Sequence, residues 1–282
     1  MHLAPWGVRL NCEPMILPSA FPLSWALAGA AALAYLLPML LALRRRAAPA
    51  RLALAPAWLL HAAALAWGLL DGAPHFGFAP ALSITVWLVL TIYAIERQLL
   101  PQMRTHWALA AMSALAACAV LAAALLPGPA LAHSASPWLA LHLMLGIACY
   151  GLFAAAVVHA WLMSRAERRM RLAADSPSGV PLLLLERLTF RFVQAGFALL
   201  SATLVAGWLF GDILYGYAWR WDHKAVFSVL AWLTFATLLL GRSRFGWRGR
   251  SAVRVLYAGA ALLLLAYVGS RFVIEVILHR AP

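Results

Sequence analysis

Residues 192–241 read FVQAGFALLSATLVAGWLFGDILYGYAWRWDHKAVFSVLAWLTFATLLLG. Two apolar runs, 192–211 and 225–241, enclose a short segment crowded with aromatic and ionisable side chains. Each run approaches the ~20 residues that an α-helix needs to cross roughly 30 Å of hydrocarbon. The insert Trp219-Arg220-Trp221-Asp222-His223-Lys224 therefore falls where lipid meets water, with Gly207-Trp208 leading in and Ala231-Trp232 following.

The same pattern recurs along the chain. Apolar windows of membrane-spanning length lie near 23–43, 52–71, 81–100, 106–126, 138–163, 192–211, 225–241 and 255–277. Of 282 residues, 65% are hydrophobic and 11% charged, a balance foreign to soluble domains. The expected fold is all-α: a polytopic membrane bundle of about eight transmembrane helices. Residues 1–22 form an N-terminal extension and 23–282 a single membrane domain. The extension has neither a basic start nor a small-residue cleavage site, so a removable signal peptide is not expected; Met15 is an alternative start.

Basic residues outnumber acidic ones by 22 to 9, which in a soluble protein would suggest nucleic acid. Their positions point to membrane topology instead, and no nucleic-acid partner is expected. Seventeen of the 22 cations fall on alternate connections, around 44–51, 97–104, 165–191 and 242–254. By the bias of lysine and arginine toward the cytoplasm, those connections are cytoplasmic. Both termini and the connections at 72–80, 127–137 and 212–224 then face outward. Within 164–191, the arginine run is read as a topology lock against anionic lipid, and 182–187 as an amphipathic helix lying on the inner surface.

Isolated polar residues inside spans raise specific alternatives. His61 lies near mid-membrane, as either a polar contact between helices or a ligand. His142 lies one turn inside the fifth span, level with His223 at the head of the seventh, so two imidazoles at one depth could bracket an iron. His159, about 25 Å deeper, is assigned to packing. Glu96 and Arg97 stand at a span edge and are expected to snorkel to water.

Cys12, Cys118 and Cys149 form no C-x-x-C pair, which leaves a thiol relay or zinc site unsupported. Phosphate-loop, dinucleotide and H-E-x-x-H motifs are absent from the sequence, and no enzymatic activity is expected.

The aromatic segment has two readings. Trp208, Tyr215, Tyr217, Trp219 and Trp221 could form an interfacial belt. Against this, Arg220 and Lys224, the chain's one lysine, are cations on the side that the charge bias avoids. Indoles can stack on a porphyrin, Arg220 and Lys224 can pair with its propionates, and a neutral His can coordinate its iron. Asp222 can orient His223 or pair with Arg220.

Trp219-Arg220-Trp221-Asp222-His223-Lys224, Phe227-Ser228, Ala231-Trp232, Gly246-Trp247-Arg248-Gly249-Arg250, Gly259 and Tyr267-Val268-Gly269 together resemble the C-terminal half of the cytochrome c assembly family (CcsA, CcmC and CcmF), most closely its YpjD-type branch. Leu141-His142 and Tyr150 extend the likeness, which covers roughly 138–277. The resemblance implies an integral inner-membrane protein that binds b-type haem non-covalently at the outer face, in cytochrome c maturation or haem delivery. The implied partners are membrane lipid, other assembly subunits and apocytochrome c. The implied contacts are Trp208, Trp219, Arg220, Trp221, Asp222 and Lys224, with His142 and His223 as iron ligands. His279, where the family places its second flanking histidine, and His61 are secondary candidates. The pattern departs from the family in a shortened tryptophan run and in Leu240-Gly241-Arg242, where CcsA has a further histidine. The alternative is an accessory or regulatory subunit that keeps the fold for partner contacts without haem.

Overall fold

The computed structural model describes residues 21–70, 75–99, 106–128, 137–171, 182–211 and 221–269. Among the described residues run eight α-helices: α1 Phe21–Leu43, α2 Ala47–Leu70, α3 Phe78–Leu99, α4 His106–Leu125, α5 Pro137–Arg171, α6 Leu182–Leu209, α7 His223–Phe245 and α8 Gly249–Leu264. Each coincides with a segment long and apolar enough to cross a membrane. Helices suit that setting because they satisfy every backbone group internally. The N-terminal extension, Trp219, Arg220 and His279 lie outside the described residues.

The helices form two groups with separate cores. In the first, α1 packs on α2 and α4, and α3 on α4. Its interior is rich in alanine, with Ala31, Ala50, Ala57 and Ala116 fully enclosed. Small residues let helix backbones approach closely where lipid offers no hydrophobic drive for association. The polar centre is His61. Its Nδ1 lies 3.1 Å from the Tyr35 hydroxyl on α1, and its Nε2 lies 2.8 Å from Ser83 Oγ on α3. Both ring nitrogens are engaged, so His61 joins three helices.

The second group comprises α5 to α8. Phe153 of α5 and Phe235 of α7 stack at its centre, with ring centroids 3.8 Å apart. They are flanked by Gly196 of α6 and Gly259 of α8, where an added Cβ would lie 3.1 Å from Phe153 and 2.8 Å from Phe235. The large rings fit only because the outer two helices present hydrogen instead of a side chain.

The motif Gly246-Trp247-Arg248-Gly249 is the turn between α7 and α8. Gly246 adopts φ +63° and Gly249 φ +60°, left-handed conformations that glycine accepts without strain. Trp247 donates its amide to the Gly241 carbonyl at 3.1 Å and lays its indole over Gly241. These residues hold a helix reversal.

The halves meet where α3 packs on α5. Leu88 fills the space above Gly151, and Trp107 meets Trp161 edge-on at 4.7 Å, with Arg165 over both rings. Beside them, Glu96 Oε2 lies 3.0 Å from His159 Nε2. Glu96 and Arg97 are each only 8% exposed, so the expectation that they snorkel to water is wrong. Glu96 finds a buried partner in His159, and Arg97 bonds the Tyr93 hydroxyl at 3.0 Å.

Residues 182–187 do not form a separate surface helix either. They are the first turns of α6, because Leu185, Thr189 and Val193 continue one buried stripe at helical spacing with no breaker between them. At the far end, the arginine run at 165–171 is helical and completes α5.

Candidate functional site

The end of the bundle where α6 finishes and α7 begins carries the aromatic segment. Asp222 starts α7 as its N-cap, its side chain accepting the Ala225 amide at 2.8 Å. This satisfies one of the free amides at a helix start and gives Asp222 a structural role beside those expected of it. Asp222→Ala is expected to cost about 1 kcal/mol and to fray the turn bearing His223 and Lys224. Amide exchange at Ala225 should accelerate in Asp222→Ala and stay slow in Asp222→Asn.

Between α6 and α7 at this end lies an open groove of about 470 Å³, lined by Leu204, Val205, Trp208, Trp221 and Val229. Trp208 and Trp221 are 66% and 70% exposed, so the end of α6 and the residue ahead of the α7 cap present large rings to one space. Solvent-facing indoles suit a lipid interface or a flat apolar ligand. His223 stands two residues beyond Trp221, exposed at the head of α7, and Lys224 follows it half-buried.

His142 sits elsewhere around α6. It is half-buried one turn into α5, against the backbone of Thr203. One turn before it, Trp138 stacks on Phe210 with centroids 4.3 Å apart, fastening the start of α5 to the end of α6. At 100° per residue, Thr203 and the Leu204-Val205-Trp208 stripe lie on different faces of α6. The structure therefore brings Trp208 and Trp221 to one groove, with His223 two residues along the chain from Trp221, and sets His142 on the α5 side of α6. Mid-bundle, Trp232 Nε1 donates to Ser201 Oγ at 2.8 Å and closes the α6–α7 seam below the groove.

A second cluster was not foreseen as a unit. Tyr150 of α5 donates to the Leu263 carbonyl where α8 passes into a π-helical turn, Leu265–Gly269. Tyr267 of that turn lies 6.5 Å from Tyr150 and 6.4 Å from Phe76. Tyr150 and Tyr267 were noted separately in the sequence; only the register change in α8 reveals that they meet. Among the described residues no group of three or more metal-ligating side chains occurs.

Eight helices long and apolar enough to cross a membrane, with an aromatic groove at one end, define a polytopic membrane protein. The chain belongs to the cytochrome c assembly protein family, whose family model matches residues 57–278. It is 32% identical over 158 residues to "Inner membrane protein YpjD" of Escherichia coli strain K12, covering 55% of this chain and 59% of that protein. The chain thus spans about three fifths of that relative's length. It is 31% identical over 233 residues to an "Uncharacterized 28.8 kDa protein in nifR3-like 5'region" of Azospirillum brasilense, covering 76% and 81% respectively. "Cytochrome c biogenesis protein CcsA" of Synechococcus sp. strain CC9311 is 33% identical over 86 residues, covering 30% of this chain and 28% of that protein. No solved structure matches.

Proposed function

We propose that this chain binds b-type haem non-covalently at the aromatic rim of the bundle, on the outer face of the bacterial inner membrane, and acts in cytochrome c maturation or haem delivery. The observation that carries this reading is the groove lined by Trp208 of α6 and by Trp221, which lies just before α7 and two residues ahead of the exposed His223. A space of about 470 Å³ lined by apolar side chains falls within the range of small-ligand sites. In this reading Trp208 and Trp221 stack on the macrocycle, and His223 offers an imidazole to its iron with His142 as the second. Arg220 and Lys224 pair with the propionates, and Trp219 and Asp222 border them. Haem, when bound, supplies the Soret absorbance by which occupancy is read. The chain holds and presents it without catalysing a reaction, in the company of other assembly subunits and apocytochrome c. The outward orientation rests on the arginine bias toward the opposite end, and the inner-membrane location on the eight spans and the likeness to YpjD.

One observation favours the second reading, a subunit that retains the fold for partner contacts without haem: His142 and the tryptophan groove lie on different faces of α6. Absorption spectra of the full chain in detergent, before and after dithionite, separate the two. The haem reading expects a Soret band that His142→Ala with His223→Ala abolishes and that Trp208→Ala with Trp221→Ala weakens. Colourless protein from haem-replete cells, or a band unchanged in the histidine pair, overturns it.

A further inference from the structure

The α6–α7 seam opens a second time, at the arginine-rich end. A groove of about 630 Å³ lies there, with Phe197, Ala236, Leu239 and Leu240 as apolar walls and Gln194 and Arg242 at its polar margin. Arg242 is held in place: it bonds Glu186 Oε1 at 2.6 Å and lies over the Phe190 ring at 3.6 Å. The stripes that line the groove continue toward the helix ends as cations. On α6, Arg191 and Arg187 precede Gln194 by three and seven residues, so all three share a face, and all three are exposed. On α7, Arg244 follows Leu240 by four residues and is exposed as well. Among the described residues, these four arginines against the carboxylate of Glu186 leave this margin positive.

An apolar trough that ends in one anchored guanidinium and further exposed arginines matches one kind of molecule in its surroundings. The trough takes a hydrocarbon chain, and the arginines take a phosphate with paired, directional hydrogen bonds. We infer that the groove between α6 and α7 at the arginine end is a binding site for an anionic glycerophospholipid, one acyl chain along Phe197 and Leu239 and the phosphate among Arg191, Arg242 and Arg244. A zwitterionic lipid fits the trough equally and lacks the net charge that these arginines complement. This site is separate from the tryptophan groove and does not depend on what that groove binds.

The test is native mass spectrometry of the full chain in detergent, equilibrated with equimolar phosphatidylglycerol and phosphatidylcholine. Phosphatidylglycerol is expected to be retained about tenfold over phosphatidylcholine. Arg191→Gln with Arg244→Gln should bring the ratio near parity, and Ala236→Phe, which fills the trough, should reduce retention of phosphatidylglycerol itself. Arg168→Gln with Arg171→Gln removes the same charge from the end of α5 and should leave the ratio unchanged. Equal retention of both lipids by the unmodified chain overturns the inference. So does an equal loss in the α5 control pair, which would make the preference diffuse surface attraction. Displacement of phosphatidylglycerol by millimolar inorganic phosphate overturns it too, since the trough would then contribute nothing.

Discussion

Glu96→Ala is expected to destabilise the bundle by about 3–5 kcal/mol, read as a loss in thermal unfolding of the purified chain. Glu96 and His159 are buried between the two halves and meet at 3.0 Å. Glu96 Oε1 and His159 Nδ1 have no hydrogen-bond partner among the described residues, so the pair depends on a single contact. Removing the carboxylate leaves the imidazole desolvated against Phe192, whose ring it parallels at 5.3 Å. A polar group stranded in this way bears its whole desolvation penalty. Glu96→Gln should lose less, because an amide can still bond the ring. Glu96→Leu with His159→Leu should recover most of the loss, since two apolar side chains replace a buried pair at little net cost. An unfolding midpoint for Glu96→Ala indistinguishable from that of the unmodified chain would mean that water already reaches this contact.

Phe235→Ala is expected to cost about 3 kcal/mol or more by emptying the centre of the C-terminal half. The ring is fully enclosed, stacked on Phe153 and pressed against Gly259. The loss here is of packing contacts, which remain a driving force between helices in lipid even where the hydrophobic effect does not. The complementary change, Gly259→Val, drives a side chain into the same ring and should cost about 1–3 kcal/mol by overpacking. Combining it with Phe235→Leu should cost less than the sum, because the smaller leucine makes room for the valine and the valine fills the space that the ring leaves. Thermal unfolding of the two single variants and the double variant measures that coupling; strict additivity would show that Gly259 and Phe235 do not share one space.

The eight spans were legible because a run of about 20 apolar residues has few other stable fates. Which faces pack together was not, since in lipid the outward and inward sides of a helix are both apolar and no periodic contrast marks the buried stripe. This is why Phe153, Gly196, Phe235 and Gly259 could not be assembled from the sequence, although Gly259 stood out in the motif. Charged residues misled for a related reason. Glu96 and Arg97 read as edge residues by position, yet partners 63 residues away for Glu96 and four away for Arg97 draw them inside. The charged start of α6 looked like a surface helix until Glu186 proved to bond Arg242 of α7. At the candidate site, the sequence places Trp208 and Trp221 at one membrane boundary and the structure adds that both line one groove, whereas the relation of His142 to His223 depends on how α6 is rotated between them. His61 and Ser83, 22 residues apart, show the same limit: a lone intramembrane histidine announces a polar contact without saying with what.

The separate cores bear on how the polypeptide is made. The ribosome finishes α1 to α4 before α5 leaves the exit tunnel, and the first four helices can close around Tyr35, His61 and Ser83 on their own. Glu96 must meanwhile wait for His159, which is synthesised later. Until α5 is made, the carboxyl group has no imidazole to bond, so the buried contact that joins the two halves can form only after the first core is complete.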